Sequence, residues 1–166
     1  MNLYPISPDP KECAKYLDTK RIGYVGVKES SQLIATAIWC LWGIETLIKP
    51  THKNHPVAKW VRVCPVNLFW AMDYMLACYY EYEKRRNKEY HINGITADKY
   101  WINFRQICRD NNFVPAYHKS IPKAFCNHAK RQDLGIDYTH IKNVHRAYRL
   151  YLAHRWTTDK ITPTWE

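Results

Sequence analysis

A chain of 166 residues and 19.9 kDa is sized for one domain built around a single core. Its 46% hydrophobic and 14% aromatic content excludes disorder by composition, and no apolar run nears the roughly 20 residues that cross a bilayer. Twenty-five Lys+Arg against fifteen Asp+Glu give +10, with an isoelectric point near 9.3, a balance suited to a polyanionic partner.

Asp9-Pro10 predicts a helix start, Asp as N-cap and Pro in the first turn, for a short helix over about 10–20. Gly23 and Gly26 are expected to break the chain before a second helix over about 27–48. There Leu33, Ala37, Ile38, Leu41, Ile44 and Leu47 follow helical spacing. A proline-bounded loop, 51–56, precedes a long helical region over about 57–87, bent near Pro65. Its core stripe is Phe69, Met72, Met75, Leu76, Tyr79 and Tyr80. A further helix is expected over about 96–109, an irregular aromatic-rich segment near 111–135, and a last helix over about 138–156. No period-2 strand pattern persists. The expected fold is all-α: a single domain, residues 1–166, of four to five helices around one core.

Three acid-free segments each carry four cations: Lys49, Lys53, Lys59 and Arg62; Lys119, Lys123, Lys130 and Arg131; Lys142, Arg146, Arg149 and Arg155. Converging, they would form a field for nucleic acid; dispersed, an inert basic surface. The six cysteines show no zinc spacing and are read as free thiols packed as small hydrophobes. The histidines form no ligand pair, so no metal or cofactor is expected.

Two places combine chemistry-bearing residues. Glu29 is expected at a helix start amid Lys20, Arg21 and Lys28, where helix end and neighbouring cations both favour a carboxylate. It would serve as general base or as partner of a cationic transition state, against the alternative of a plain helix-end charge. His52, Lys53, Asn54 and His55, followed by Trp60, Arg62, Asn67 and Trp70, supply amide, imidazole, positive charge and aromatic faces together. That inventory suits an extruded nucleobase; the alternative is capping side chains and core tryptophans. The two places are expected to meet in space.

The order of these features resembles the small all-α DNA glycosylase/AP-lyases typified by the phage pyrimidine-dimer endonuclease (endonuclease V-like). The opening Asn2-Leu3-Tyr4-Pro5-Ile6 is similar to that family's NL-x-P-V start, and Lys28-Glu29 to its Arg-Glu pair. Pro50-Thr51, then His55-Pro56-Val57 and a helix ending in Glu81 and Arg85, follow a similar progression. Ile121-Pro122-Lys123-Ala124-Phe125 and the closing Thr162-Pro163-Thr164-Trp165 are similar to two further family segments.

The resemblance implies an enzyme that flips a damaged or modified pyrimidine out of double-stranded DNA and cleaves its glycosidic bond, Glu29 handling protons. In the family an amino-terminal amine attacks the sugar and forms a Schiff base. This chain reads Met1-Asn2 where the family exposes a small residue. That departure opens a second expectation, a base-modifying transferase of phage DNA hypermodification on the same surface; the third is a non-catalytic DNA-binding module. The expected state is a monomer without membrane contact. With no signal sequence apparent at the amino terminus, the expected location is the cytoplasm, the host's if the chain is phage-encoded.

Overall fold

The computed structural model describes residues 2–113, 127–160 and 162–166. The chain is mainly helical, with two small two-stranded ladders. Helix α1 (Pro10–Tyr16) begins as its sequence predicts: the Asp9 side chain accepts from the Lys11 N–H at 2.8 Å, and Pro10 occupies the first turn. A one-turn helix, α2 (Thr19–Arg21), is capped by Asp18 and runs into a π-helix (Ile22–Glu29) that continues as α3 (Ser30–Trp42).

Gly23 and Gly26 therefore do not break the chain. They admit close neighbours: a Cβ on Gly26 would lie 2.6 Å from the Cys78 sulfur, and one on Gly23 would lie 2.8 Å from the Tyr90 ring. The wider π winding leaves carbonyls to satisfy, and serines satisfy them. Ser30 Oγ donates to the carbonyls of Gly26 and Val27, and Ser31 Oγ to that of Val27 at 2.7 Å. Helix α3 stops at Gly43 in the left-handed region, φ +69°, earlier than its apolar spacing predicts. Ile44 and Leu47 fall beyond it, and Leu47 is exposed.

The long helical region is two helices, α4 (Pro56–Arg62) and α5 (Pro65–Arg86), separated at Val63 and an extended Cys64. Pro65 cannot continue the preceding helix and disfavours helical backbone at Cys64. Helix α5 is the central pillar, packed against α1, the π-helix and α3. Phe69, Met72, Met75 and Tyr79 are buried along it, Leu76 is half-buried, and Tyr80 faces outward. Asn93-Gly94, both at positive φ, turn the hairpin β1 (His91–Ile92) to β2 (Ile95–Thr96), which period-2 reading misses because each strand has two residues.

Helix α6 (Ala97–Asp110) follows. The second ladder, β3 (Lys130–Arg131) with β4 (Ile136–Asp137), precedes α7 (Val144–Thr158), which starts later than sequence alone suggests. Asn143 sets that start by accepting from the Arg146 N–H. The expected Ile121–Phe125 segment, Tyr117, Lys119, Lys123 and Cys126 lie outside the described residues. Cys13, Cys78 and Cys108 are buried free thiols, as their apolar surroundings predict. Among the described residues no helix is long and apolar enough to cross a membrane.

Candidate active site at the π-helix

The amino-terminal segment enters the core between α5 and α7. Leu3, Tyr4 and Ile6 are buried, and Tyr4 packs on the Tyr148 and Tyr151 rings at about 6 Å. His145 and Arg149 of α7 hydrogen-bond the carbonyls of Pro5 and Ile6 at 2.6 Å. This threading brings the backbone N–H of Asn2 to Glu29, where it donates to Oε2 at 2.8 Å. Glu29 is thus not at a helix start. It lies inside a continuous helical run, and its carboxylate accepts from a backbone amide 27 residues away.

Around this contact is a cavity of about 350 Å³, open to solvent. Lys20, Arg21, Arg131 and Arg155 line it, together with the carboxylates of Glu29 and Asp159 and the rings of Tyr4, Tyr24 and Tyr151. The π winding puts the first members on one face. Lys20 and Glu29 are nine residues apart, about two and a half α-helical turns, which would set them on opposite sides. Hydrogen bonds spanning five residues close the same stretch in about two turns, so Lys20, Tyr24 and Glu29 share a face.

The floor is a charge network. Buried Arg21 pairs with Asp18 and with Asp159, Arg155 pairs with Asp159 at 2.7 Å, and the Trp156 indole donates to Asp18 at 2.8 Å. Burial works against the Arg21 charge, but its two carboxylate partners outweigh that and raise its pKa. Burial likewise pushes the Asp159 carboxyl up, while hydrogen bonds from Arg155 and Arg21 outweigh it and hold the group below the usual carboxylate range. The carboxyl-terminal tail fixes the turn that carries these groups. Thr19 donates through its N–H to the Thr164 carbonyl at 2.8 Å and through its hydroxyl to that of Glu166.

Of the residues singled out from the sequence, Lys20, Arg21 and Glu29 come together here, and Lys28 stands beside them with its ammonium 5.5 Å over the Tyr24 ring. The 52–70 group is placed differently. Thr51 is tied to Thr36 in both directions at 3.0 Å, and the Lys53 ammonium sits 5.8 Å from the Trp39 ring centre. Those anchors lie seven and ten residues past Glu29, about 10 and 15 Å along the helix axis. None of His52, Lys53, Asn54 or His55 lines the Glu29 cavity.

His52, at φ +52°, contacts the Thr51 hydroxyl, and Asn54 is exposed. His55 caps α4 through the Val57 N–H, and Arg62 donates to the Lys53 carbonyl at 2.6 Å. Trp60, Asn67 and Trp70 are core residues rather than a base-stacking surface. The two indoles meet edge to face at 5.9 Å, Asn67 donates to the Trp60 carbonyl, and the Trp70 indole donates to that of Pro8.

Sequence reading missed Tyr4, Tyr24, Tyr151 and Asp159 as cavity residues. It registered Arg131 and Arg155 only as charges in acid-free segments, two of the three of which do reach the cavity. Compared with known proteins, the chain matches no protein-family model, no curated protein and no solved structure.

Proposed function

We propose that this protein is an enzyme acting on a pyrimidine nucleotide extruded from double-stranded DNA, with Glu29 as acid/base and excision of the base as the reaction. The observation that carries this reading is the Glu29 carboxylate held on the Asn2 backbone nitrogen inside a cavity lined by four cations. The cations suit the phosphates flanking an extruded nucleotide. A carboxylate at the reacting sugar suits a bond cleavage that builds positive charge there. The order of sequence features shared with the pyrimidine-dimer glycosylases supports the same assignment.

In the proposed reaction a water attacks the anomeric carbon, the bond to the base breaks, and its electron pair leaves with the base. Glu29 takes the water's proton and passes it to the departing base, so an abasic site and a free base result. With Met1 attached, the Asn2 nitrogen is a peptide amide whose lone pair is delocalised, and it orients Glu29 instead of attacking. The same amide favours a second reading, group transfer. In it Glu29 deprotonates an incoming amine or hydroxyl that displaces a leaving group from an activated pyrimidine substituent.

The test incubates wild type and Glu29→Gln, with and without an added amine, with duplex DNA carrying thymine dimers, 5-hydroxymethyl pyrimidines and 5-methyl pyrimidines that bear a leaving group. Products are read by nucleoside mass spectrometry and denaturing gel. Base excision is expected, falling at least 100-fold in Glu29→Gln. A new nucleoside mass on intact strands supports transfer. Binding without product from any substrate overturns both and leaves a DNA-binding module.

A further inference from the structure

We infer that Tyr24 is the stacking platform on which the cavity holds the extruded pyrimidine; this rests on the reading above. Tyr24 is 55% exposed, among the most exposed large hydrophobic side chains of the described residues, yet it lines the Glu29 cavity. Its position at the cavity, beside Lys20 and Glu29, makes the exposed ring a surface on which a planar ligand can stack.

Three further observations converge on that use. First, the π winding sets Tyr24 on the Glu29 face, five residues before the carboxylate, so a ring laid on Tyr24 lies within one helical turn of the acid/base. Second, the Lys28 ammonium lies 5.5 Å over the Tyr24 ring, while Lys28 is not part of the cavity lining. The ring is thus engaged by a cation that is not itself a cavity residue. Third, the cations around the ring divide into two sets. Arg21 and Arg155 are tied to carboxylates in the floor and Arg131 to Asp133, whereas Lys20 is exposed at the rim. A planar ring on Tyr24 with a phosphate toward Lys20 is one nucleotide unit, and it lies within one helical turn of Glu29 on the same face.

The platform accounts for retention of the ring without hydrogen-bond readout. A tyrosine face accepts any pyrimidine ring, and the cavity walls then decide which substituents fit. A binding experiment separates this from the chemistry. Duplexes with a single bulged thymidine present an extruded base without the cost of unpairing, and the same duplexes with an abasic residue in the bulge lack the ring. Affinity is measured for Tyr24, Tyr24→Phe and Tyr24→Ala, all in Glu29→Gln protein so that no probe is consumed.

Tyr24→Ala is expected to bind the bulged thymidine about 5- to 150-fold more weakly and the abasic bulge unchanged, with Tyr24→Phe close to the parent. Equal losses on both probes, or no loss on either, overturn the platform. Product formed by wild type with a silent Tyr24→Ala refutes the platform alone. A thymidine-specific loss with no product from wild type refutes the enzymatic reading and leaves the platform standing.

Discussion

The Glu29 cavity and the segment from His52 to Trp70 hold similar inventories of cations, polar groups and aromatic rings, but the fold treats them in opposite ways. At the cavity the charged groups bond to one another and leave an opening above: Arg21 and Arg155 share Asp159, and Tyr24 stands outward. In the second region the polar atoms are spent on backbone. Asn67, Trp70 and Arg62 each donate to a carbonyl, and the two indoles close on each other. A set of residue types thus becomes a site only where its polar atoms are not all needed to satisfy the chain.

The sharpest way to break the contrast is Trp70→Ala. As a core residue it should cost about 3–5 kcal/mol in denaturant unfolding. A loss below about 1 kcal/mol accompanied by weakened DNA binding would return Trp70 to the surface role that sequence reading gives it. Gly26→Ala tests the other region. Its new methyl meets Cys78 at under 3 Å, and a destabilisation of about 1–3 kcal/mol is expected. Because the same displacement moves the π-helix, product formation should fall with it; unchanged activity would detach Glu29 from the winding.

The smallest effect is a pH dependence. His55 and His128 face each other at 6.2 Å, and burial foremost, with neighbouring positive charge, lowers both pKa values. The unfolded chain then binds more protons than the native one, so stability should decline as pH falls below about 6.5, until the folded-state values are passed. The midpoint of urea unfolding at pH 7 and pH 5 measures it, and His128→Gln should flatten the difference. An unchanged slope would mean that the pair does not set it.

Local signals were legible. Asp9-Pro10 starts its helix because capping is decided within three residues, and the α5 stripe holds, Tyr80 excepted, because helical spacing chooses a face. Glu29 stood out as an acid among cations, but its reason for being there did not, because the Asn2 amide that binds it is 27 residues away. Asp159 meets Arg21 across 138 residues, a pairing that no window along the chain can reveal. Gly23 and Gly26 read as breaks because glycine marks both turns and close helix approaches, and only the partner chosen by packing separates the two. The π winding was invisible for a simpler reason: a search at 3.6 residues per turn assigns Lys20 and Glu29 to opposite faces.

That winding also makes the site unusually easy to abolish by an event that changes no side chain. Removing one codon between Gly23 and Lys28 shortens the run by a residue and lets the remaining carbonyls pair four residues on. Glu29 would then stand eight residues past Lys20, about 2.2 α-helical turns, so it would be carried about 80° around the axis and displaced from the Asn2 amide. In descent, gain or loss of this carboxylate at this position is therefore a matter of length before it is a matter of identity, and aligned residue names alone would not record it.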